Sequence, residues 1–151
     1  MKSTCYSYFA ICSKGKIESN VGFVAAPSSN FDPDTITARL GIQPFDTSKL
    51  GMPRKNGDGY VPFSSWAACK QTEPMLDAET QCLKIVRQLS PKIDELRAMQ
   101  KEYNVDYSII IVPELVVDAK QPGIVFNREI IEFCYLTGTE IGLDLYVYFD
   151  K

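Results

Sequence analysis

The sequence contains no histidine among its 151 residues. Histidine serves Ser-His-Asp and Cys-His catalysis, supplies most ligands of catalytic zinc, and exchanges protons near pH 7 more readily than other side chains. Its absence excludes the two triad-type mechanisms and most catalytic zinc sites. Carboxylate, lysine, tyrosine or backbone chemistry stays open, but the expectation of an enzyme falls.

An excess of basic charge is also missing. The chain has 16 Lys and Arg against 19 Asp and Glu, a net charge of −3, and a pI near 5.0. A general binder of nucleic acid or of anionic membranes normally carries a basic excess, so we expect no nucleic acid and no membrane as partner. A local basic patch stays open.

Long apolar runs are absent as well. No run approaches the ~20 apolar residues of a membrane span. The amino-terminal MKSTCYSYFAICSKG has one early lysine and a short, polar-interrupted apolar stretch, which is too weak for a signal peptide. We therefore expect a cytoplasmic protein.

The cysteines form no recognisable framework. Their number is odd, they are widely spaced, and no CxxC pair occurs: Cys5, Cys12, Cys69, Cys82 and Cys134. Disulfide frameworks are normally even and denser, and zinc knuckles and thioredoxin-type centres need paired cysteines. We predict buried free thiols in a reducing compartment, no metal site and no cofactor.

What is present is typical of a globular domain. Hydrophobic residues make up 45 % of the chain and charged residues 23 %. A length of 151 residues is close to the commonest domain size and can bury a core. We predict one domain over residues 1–151.

Two short helices have strong start and stop signals. In the first, Asp32 caps the free amides, Pro33 fits the first helical position, and Gly41 gives a left-handed exit. In the second, Asn127 and Gly138 take the same roles around residues 128–136.

The remaining pattern indicates strands and one long helical stretch. Alternation predicts strands at 5–13, 63–70, 105–112 and 140–149, the last with one apolar face. A hairpin is expected to link the first strand to residues 21–26 through a turn at 14–16.

Residues 77–103 read as two helices, or one kinked helix, because Ser90-Pro91 interrupts them as a cap and a first helical residue. The fold class that follows is α+β. We predict a four- to five-stranded sheet with helices packed on one face. Two β-α-β-like units would be joined by the long kinked helical segment, as in a ferredoxin-like relative.

The best candidate binding segment is residues 43–62, which show no clear secondary structure. Thr47, Ser48, Lys49 and Arg54, together with Lys55, offer hydroxyls and cations that suit an anion. No GxxxxGK[ST] or GxGxxG motif supports a nucleotide site. The alternative is a solvated connection in which glycine and proline only make turns.

Two further side chains are candidates for partner binding. Trp66 is the only tryptophan, and it anchors either the core or an interface, with the core favoured. Asp144 lies between leucines in the last strand. Its carboxylate either has a raised pKa or, as we favour, points to solvent.

Aromatic residues on the first and last strands predict a third candidate surface. Tyr6, Tyr8, Tyr146 and Tyr148 fall on alternate positions that can share one sheet face. Such faces can stack bases, but the RNA-recognition motif is absent and the charge is negative. A protein-binding face, or one covered by helices, is favoured.

Several segments resemble a known family. The strings DPDTITARLGIQPFDTSKLG, SSW, LSPKI and GTEIGLDLYVY, over residues 8–148, are similar to the bacterial family called domain of unknown function 4279. Residues 14–27 look like an insertion relative to it. The resemblance implies a bacterial α+β domain and no assigned activity; its small members look like immunity and accessory proteins of toxin systems, which is an analogy.

These observations lead to two functional hypotheses. The first is a non-catalytic domain that binds another protein, as an immunity-type inhibitor of a bacterial toxin would, because an acidic inhibitor suits a basic toxin. The second is an anion- or small-ligand-binding domain, or an enzyme, that uses residues 43–62.

Overall fold

The computed structural model describes residues 1–149. Its strands are β1 (Thr4–Ser13), β2 (Gly15–Glu18), β3 (Gly22–Ala25), β4 (Pro44–Ser48), β5 (Ser65–Gln71), β6 (Val105–Val116), β7 (Thr139–Leu143) and β8 (Tyr146–Tyr148). Its α-helices are α1 (Pro33–Leu40), α2 (Ala78–Leu89), α3 (Ile93–Tyr103) and α4 (Arg128–Thr137). The α+β class predicted from the sequence is confirmed.

The main sheet has the order β4-β5-β1-β6-β7, and β8 pairs with β6 beyond the end of β7. Strand β1 is antiparallel to both β5 and β6, whereas β7 and β8 are parallel to β6. The predicted unit β6-α4-β7 is therefore a parallel β-α-β crossover. In the other unit, α1 leads to β4 and β5, which pair antiparallel to each other.

The helices cover one face of this sheet. Helix α2 packs on β1 and β5, α3 on β6, and α4 on β7. The side chains of Phe9 and Ile11 point to this side and are fully buried with Trp66, Ile109 and residues of all four helices. The intervening residues of β1 point to the other face.

The predicted capping signals are confirmed. Asp32 Oδ1 accepts a hydrogen bond of 2.9 Å from the Asp34 amide at the start of α1, and Gly41 ends that helix at φ 66°. Asn127 Oδ1 accepts 3.1 Å from the Ile130 amide at the start of α4. These local signals fix where both helices begin.

The long helical stretch divides at the predicted place, but Ser90 has a different role. A 3-10 turn, Ser90–Lys92, separates α2 from α3. Ser90 Oγ donates 2.7 Å to the Val86 carbonyl and so satisfies the end of α2. It does not cap α3, which begins only after the turn.

The predicted hairpin between β1 and residues 21–26 is wrong. Strand β3 pairs with β2 in a separate two-stranded sheet, and the predicted turn at 14–16 opens β2. Strand β1 has no free edge for β3, because β5 and β6 occupy both of its edges.

The segment 43–62 is also more regular than predicted. It contains β4, which forms the edge of the main sheet by pairing with β5. The sequence PFDTS lacks the alternation that marks a strand, so the pairing comes from its neighbour β5.

Two strand boundaries differ from the prediction. Strand β6 continues past Pro113 to Val116, because Pro113 lies between the residues paired with β7 and those paired with β8, where the neighbouring ladder is interrupted. The final strand is divided at Asp144 into β7 and β8. Its predicted apolar face is largely uncovered, with Leu143 58 % and Val147 51 % exposed.

A buried amide ties α2 to the central strand. Gln81 is fully buried, and its Oε1 accepts 2.8 Å from Ser7 Oγ of β1. Its Nε2 donates 2.8 Å to the carbonyls of Cys5 and of Pro74. Every polar atom of this side chain therefore has a partner.

We expect the substitution Gln81→Ala to lower the free energy of unfolding by about 2–4 kcal/mol, because it removes three hydrogen bonds and leaves the buried Ser7 hydroxyl without its acceptor. Gln88→Ala, at an exposed position of the same helix, is the matched control and should change stability by less than ~0.5 kcal/mol. Urea unfolding measures both. Equal losses would contradict the assigned role of Gln81.

Candidate functional site

The sheet face opposite the helices carries a row of large side chains, which we call the open face. They come from β1, β4, β5, β6 and β8 and from the residue that follows β7: Tyr6, Tyr8, Phe45, Lys70, Val112, Glu114, Asp144, Tyr146 and Tyr148. Phe45 is 49 % exposed, Tyr146 46 % and Tyr148 41 %. The tyrosines predicted as an aromatic face from the sequence belong to it.

The rings on one side of the open face contact one another and a cation. Tyr6 and Tyr8 stack with centroids 6.4 Å apart, and Phe45 meets Tyr8 edge to face at 5.4 Å. Lys70 Nζ lies 4.7 Å from the Tyr6 centroid and 5.5 Å from that of Phe45. Such cation–π contacts contribute about 0.5–1 kcal/mol each at exposed sites.

A β-bulge brings Lys70 to this face. Ala68 lies opposite Phe9, yet Gln71 lies opposite Ser7, so β5 has one extra residue there. Cys69 absorbs it at φ 60°, a left-handed conformation that costs a non-glycine residue about 1–2 kcal/mol. Without the bulge, Lys70 would point to the helix side with Ala68.

The other side of the open face is acidic. Tyr146 Oη donates 3.4 Å to Asp144 Oδ2, and Tyr146 pairs with Glu114 across the ladder. Asp144 raises the pKa of Tyr146, while burial, Glu114 and Asp144 raise the pKa of Tyr6. The phenols of Tyr6 and Tyr146 therefore stay protonated at neutral pH. The neighbouring carboxylates of Asp144 and Glu114 favour the binding of a cation at this side of the face.

The predicted anion-binding residues lie elsewhere, in an open cleft of about 670 Å³ that we call the loop cleft. Its lining includes Thr47, Ser48, Lys49, Arg54 and Lys55, and also three carboxylates, Asp32, Asp34 and Asp46.

The cations of the loop cleft already have partners. Lys49 Nζ is 3.5 Å from Asp32, and Lys55 Nζ is 3.8 Å from Asp46. Arg54 Nε donates 3.1 Å to the Tyr60 carbonyl of its own loop. An anion entering the cleft has to compete with these groups.

The other two residues predicted to bind a partner, Asp144 and Trp66, lie in different environments. Asp144 is exposed, as the sequence favoured, and belongs to the open face. Trp66 is fully buried, and its Nε1 donates 3.0 Å to Thr37 Oγ1 of α1. The indole therefore anchors α1 to β5 and is not accessible to a partner.

Sequence reasoning missed Phe45, Lys70 and Glu114. Phe45 lies in a segment that was predicted to be irregular, and Glu114 lies beyond the predicted end of β6. Lys70 reaches the face only through the bulge at Cys69, and a bulge without glycine leaves no sequence signal.

All five cysteines are free. Burial raises the pKa of Cys82 to about 12 and the pKa of Cys69 and of Cys134 to about 11. Burial also raises the pKa of Cys5 and Cys12. Since the thiolate is the nucleophile, these thiols are inert near neutral pH.

We expect iodoacetamide at pH 8 to alkylate the native protein roughly tenfold or more slowly than the urea-unfolded chain, because a raised pKa lowers the thiolate fraction. The native rate should keep rising above pH 9, whereas the unfolded rate levels off there. Mass spectrometry identifies the labelled residues. A cysteine that reacts as fast in the native protein as in the unfolded chain would be an accessible thiol with an unshifted pKa and would contradict this expectation.

Within residues 1–149, no group of three or more His, Cys, Asp or Glu is arranged to hold a metal ion. None of the helices in the same range is long and apolar enough to cross a membrane.

Comparison with known proteins identifies the family. The model of the family described as "Domain of unknown function (DUF4279)" matches residues 3–148, and the chain therefore belongs to that family. Neither the curated proteins nor the solved structures contain a significant match.

Proposed function

We propose that this protein is a non-catalytic binding domain that recognises another protein through the open face. The observation that carries the proposal is a set of partly exposed rings on a sheet face without helices: Tyr6, Tyr8 and Phe45 contact one another, and Tyr146 lies on the same face. Aromatic residues are enriched in protein interfaces, and contiguous exposed apolar patches mark such sites.

The chemistry of the side chains supports binding over catalysis. Raised thiol pKa values make the cysteines poor nucleophiles, and the sequence has no histidine to activate a hydroxyl. The phenol of Tyr146 also has a raised pKa, so it acts as a hydrogen-bond donor at neutral pH. These groups suit recognition.

The partner class that we propose is a basic bacterial toxin, with this chain as its immunity-type inhibitor. The net charge of −3 favours a basic partner, because complementary fields speed association and exclude wrong partners. The resemblance of small family members to immunity proteins is an analogy that agrees with this choice. Five free thiols suit a reducing cytoplasm.

We expect the tagged protein to capture one stoichiometric protein from native lysate at physiological salt, and Tyr146→Ala to abolish most of the capture. Lys70→Ala, which removes a single exposed charge, should reduce the affinity only about two- to fivefold. Truncating an aromatic anchor in an interface typically costs 2 kcal/mol or more, about thirtyfold in affinity. Mass spectrometry identifies and quantifies the captured protein.

The matched control is Tyr135→Ala, because Tyr135 is 85 % exposed on α4, on the helix side of the sheet. Circular dichroism verifies that each variant is folded. A monomer that captures nothing would argue against the proposal, as would a partner lost equally with Tyr135→Ala.

A second candidate function uses the loop cleft. Its volume of about 670 Å³ suits a small metabolite, and its mixed lining suits a ligand with both a phosphate or carboxylate and a donor group. The existing pairs of Lys49 with Asp32 and of Lys55 with Asp46 make it the weaker candidate.

If the cleft binds such a metabolite, a phosphorylated or carboxylated compound should raise the melting temperature, and Lys49→Ala with Arg54→Ala should remove the shift. Lys101→Ala with Arg97→Ala on α3 is a control of equal charge. The absence of any shift across a broad metabolite library would eliminate this second function.

A further inference from the structure

The two ends of the open face carry opposite charges that have no ion-pair partner within residues 1–149. Lys70 contacts only rings, and neither Glu114 nor Asp144 lies within salt-bridge distance of a cation there. Elsewhere in this range, some cations such as Lys49 and Arg87 are paired with carboxylates, and others such as Arg97 and Lys101 are not. The charges of the open face are therefore free to pair with a partner of complementary charge.

The strand register fixes how far apart the backbones that carry these charges lie. Lys70 of β5 contacts Tyr6 of β1, Tyr6 lies opposite Val112 of β6, and the Asp144 amide donates to the neighbouring Ile111 carbonyl. The backbones of Lys70 and Asp144 are therefore three strand spacings, about 14 Å, apart. Between them lie the partly exposed ring of Tyr6 and the side chain of Val112, which is only 1 % exposed.

This separation matches an extended chain better than a helix. In an extended segment, side chains at i and i+4 point to the same side about 13–14 Å apart. On a helix the same distance needs about nine residues, which places the two side chains on opposite sides. An extended segment can therefore reach both ends at once.

We infer that the partner presents an extended segment with one basic and one acidic side chain four residues apart and an apolar residue between them. The basic group, best an arginine, stacks on Tyr146 and pairs with Asp144 and Glu114. The acidic group pairs with Lys70. The inference rests on the proposed function and specifies the chemistry that the open face recognises.

Arginine suits the acidic end for two reasons. Its planar guanidinium stacks on tyrosine rings, and it pairs with a carboxylate through two hydrogen bonds. Asp144 and Tyr146 are both exposed, so a partner reaches them without displacing other side chains.

The test is a titration of isotope-labelled protein with the synthetic peptide acetyl-Arg-Ser-Val-Ser-Glu-amide, followed by NMR. The reference peptide is acetyl-Gln-Ser-Val-Ser-Gln-amide, which has the same length and no charge. We expect amide shifts in β1, β5 and β8 and an affinity for the charged peptide about three- to tenfold higher.

Asp144→Asn should lower the affinity for the charged peptide about two- to fivefold and leave the uncharged peptide unaffected. Asp58→Asn, an exposed position in the 43–62 segment, is the matched control and should change neither. Equal affinity for both peptides, shifts confined to the loop cleft, or no saturable shift would each overturn the inference.

The result is separable from the lysate capture. If a partner is captured through Tyr146 but the charged peptide fails, the face is correct and the charge pattern is wrong. If the charged peptide binds saturably on the face and no partner is captured, the recognition chemistry is supported while the proposal of a protein partner is not.

Discussion

The pairing of β1 on both edges is the constraint on which the rest of the structure depends. Each of its ten residues lies opposite one of β6, and β5 occupies its other edge. With the backbone fixed in this way, its side chains alternate between two faces. Phe9 and Ile11 reach the helices, while Tyr6 and Tyr8 have only neighbouring strands beside them. An open face is the direct consequence of helices on one side alone.

Such a face needs side chains that tolerate both contact and water. Tyrosine does so, because its ring packs sideways on neighbouring rings while its hydroxyl stays hydrated. The bulge at Cys69 also places Lys70 on this surface, at the cost of an unfavourable left-handed backbone conformation at Cys69. If Lys70 had remained on the regular alternation, its charge would face the apolar core beside Ala68. The bulge therefore serves the core and the open face together.

The sequence predicts most of what depends on local chemistry. The caps at Asp32 and Asn127, the interruption at Ser90-Pro91 and the alternation of β1 act over a few residues and appear as expected. Features that depend on distant pairing could not be predicted. The PFDTS segment becomes a strand because it pairs with the edge of β5. Strand β3 pairs with β2 and not with β1, because β5 and β6 already occupy both edges of β1.

In the candidate site, too, the features that depend on local sequence could be predicted and those that depend on distant strand pairing could not. Four tyrosines of the open face could be found by alternation, but Phe45 and Lys70 needed the register of β4 and β5. For Trp66 the sequence favoured the core, and the structure buries its indole, which donates a hydrogen bond to Thr37 Oγ1. The sequence therefore predicted the tyrosines of the open face but not the presence of Lys70 among them.

The energetics favour the open face over the loop cleft as the site of the proposed function. In the cleft, an anion gains contact with Lys49 only by weakening its pair with Asp32, so the net gain is small. On the open face, Lys70 and Asp144 lose no ion pair when a partner binds. Exposed ion pairs contribute only ~0.2–1 kcal/mol each, so they orient a partner and do not hold it. In the proposed complex, most of the affinity would come from burying Tyr6, Phe45 and Tyr146, and a protein is large enough to cover rings that belong to several strands.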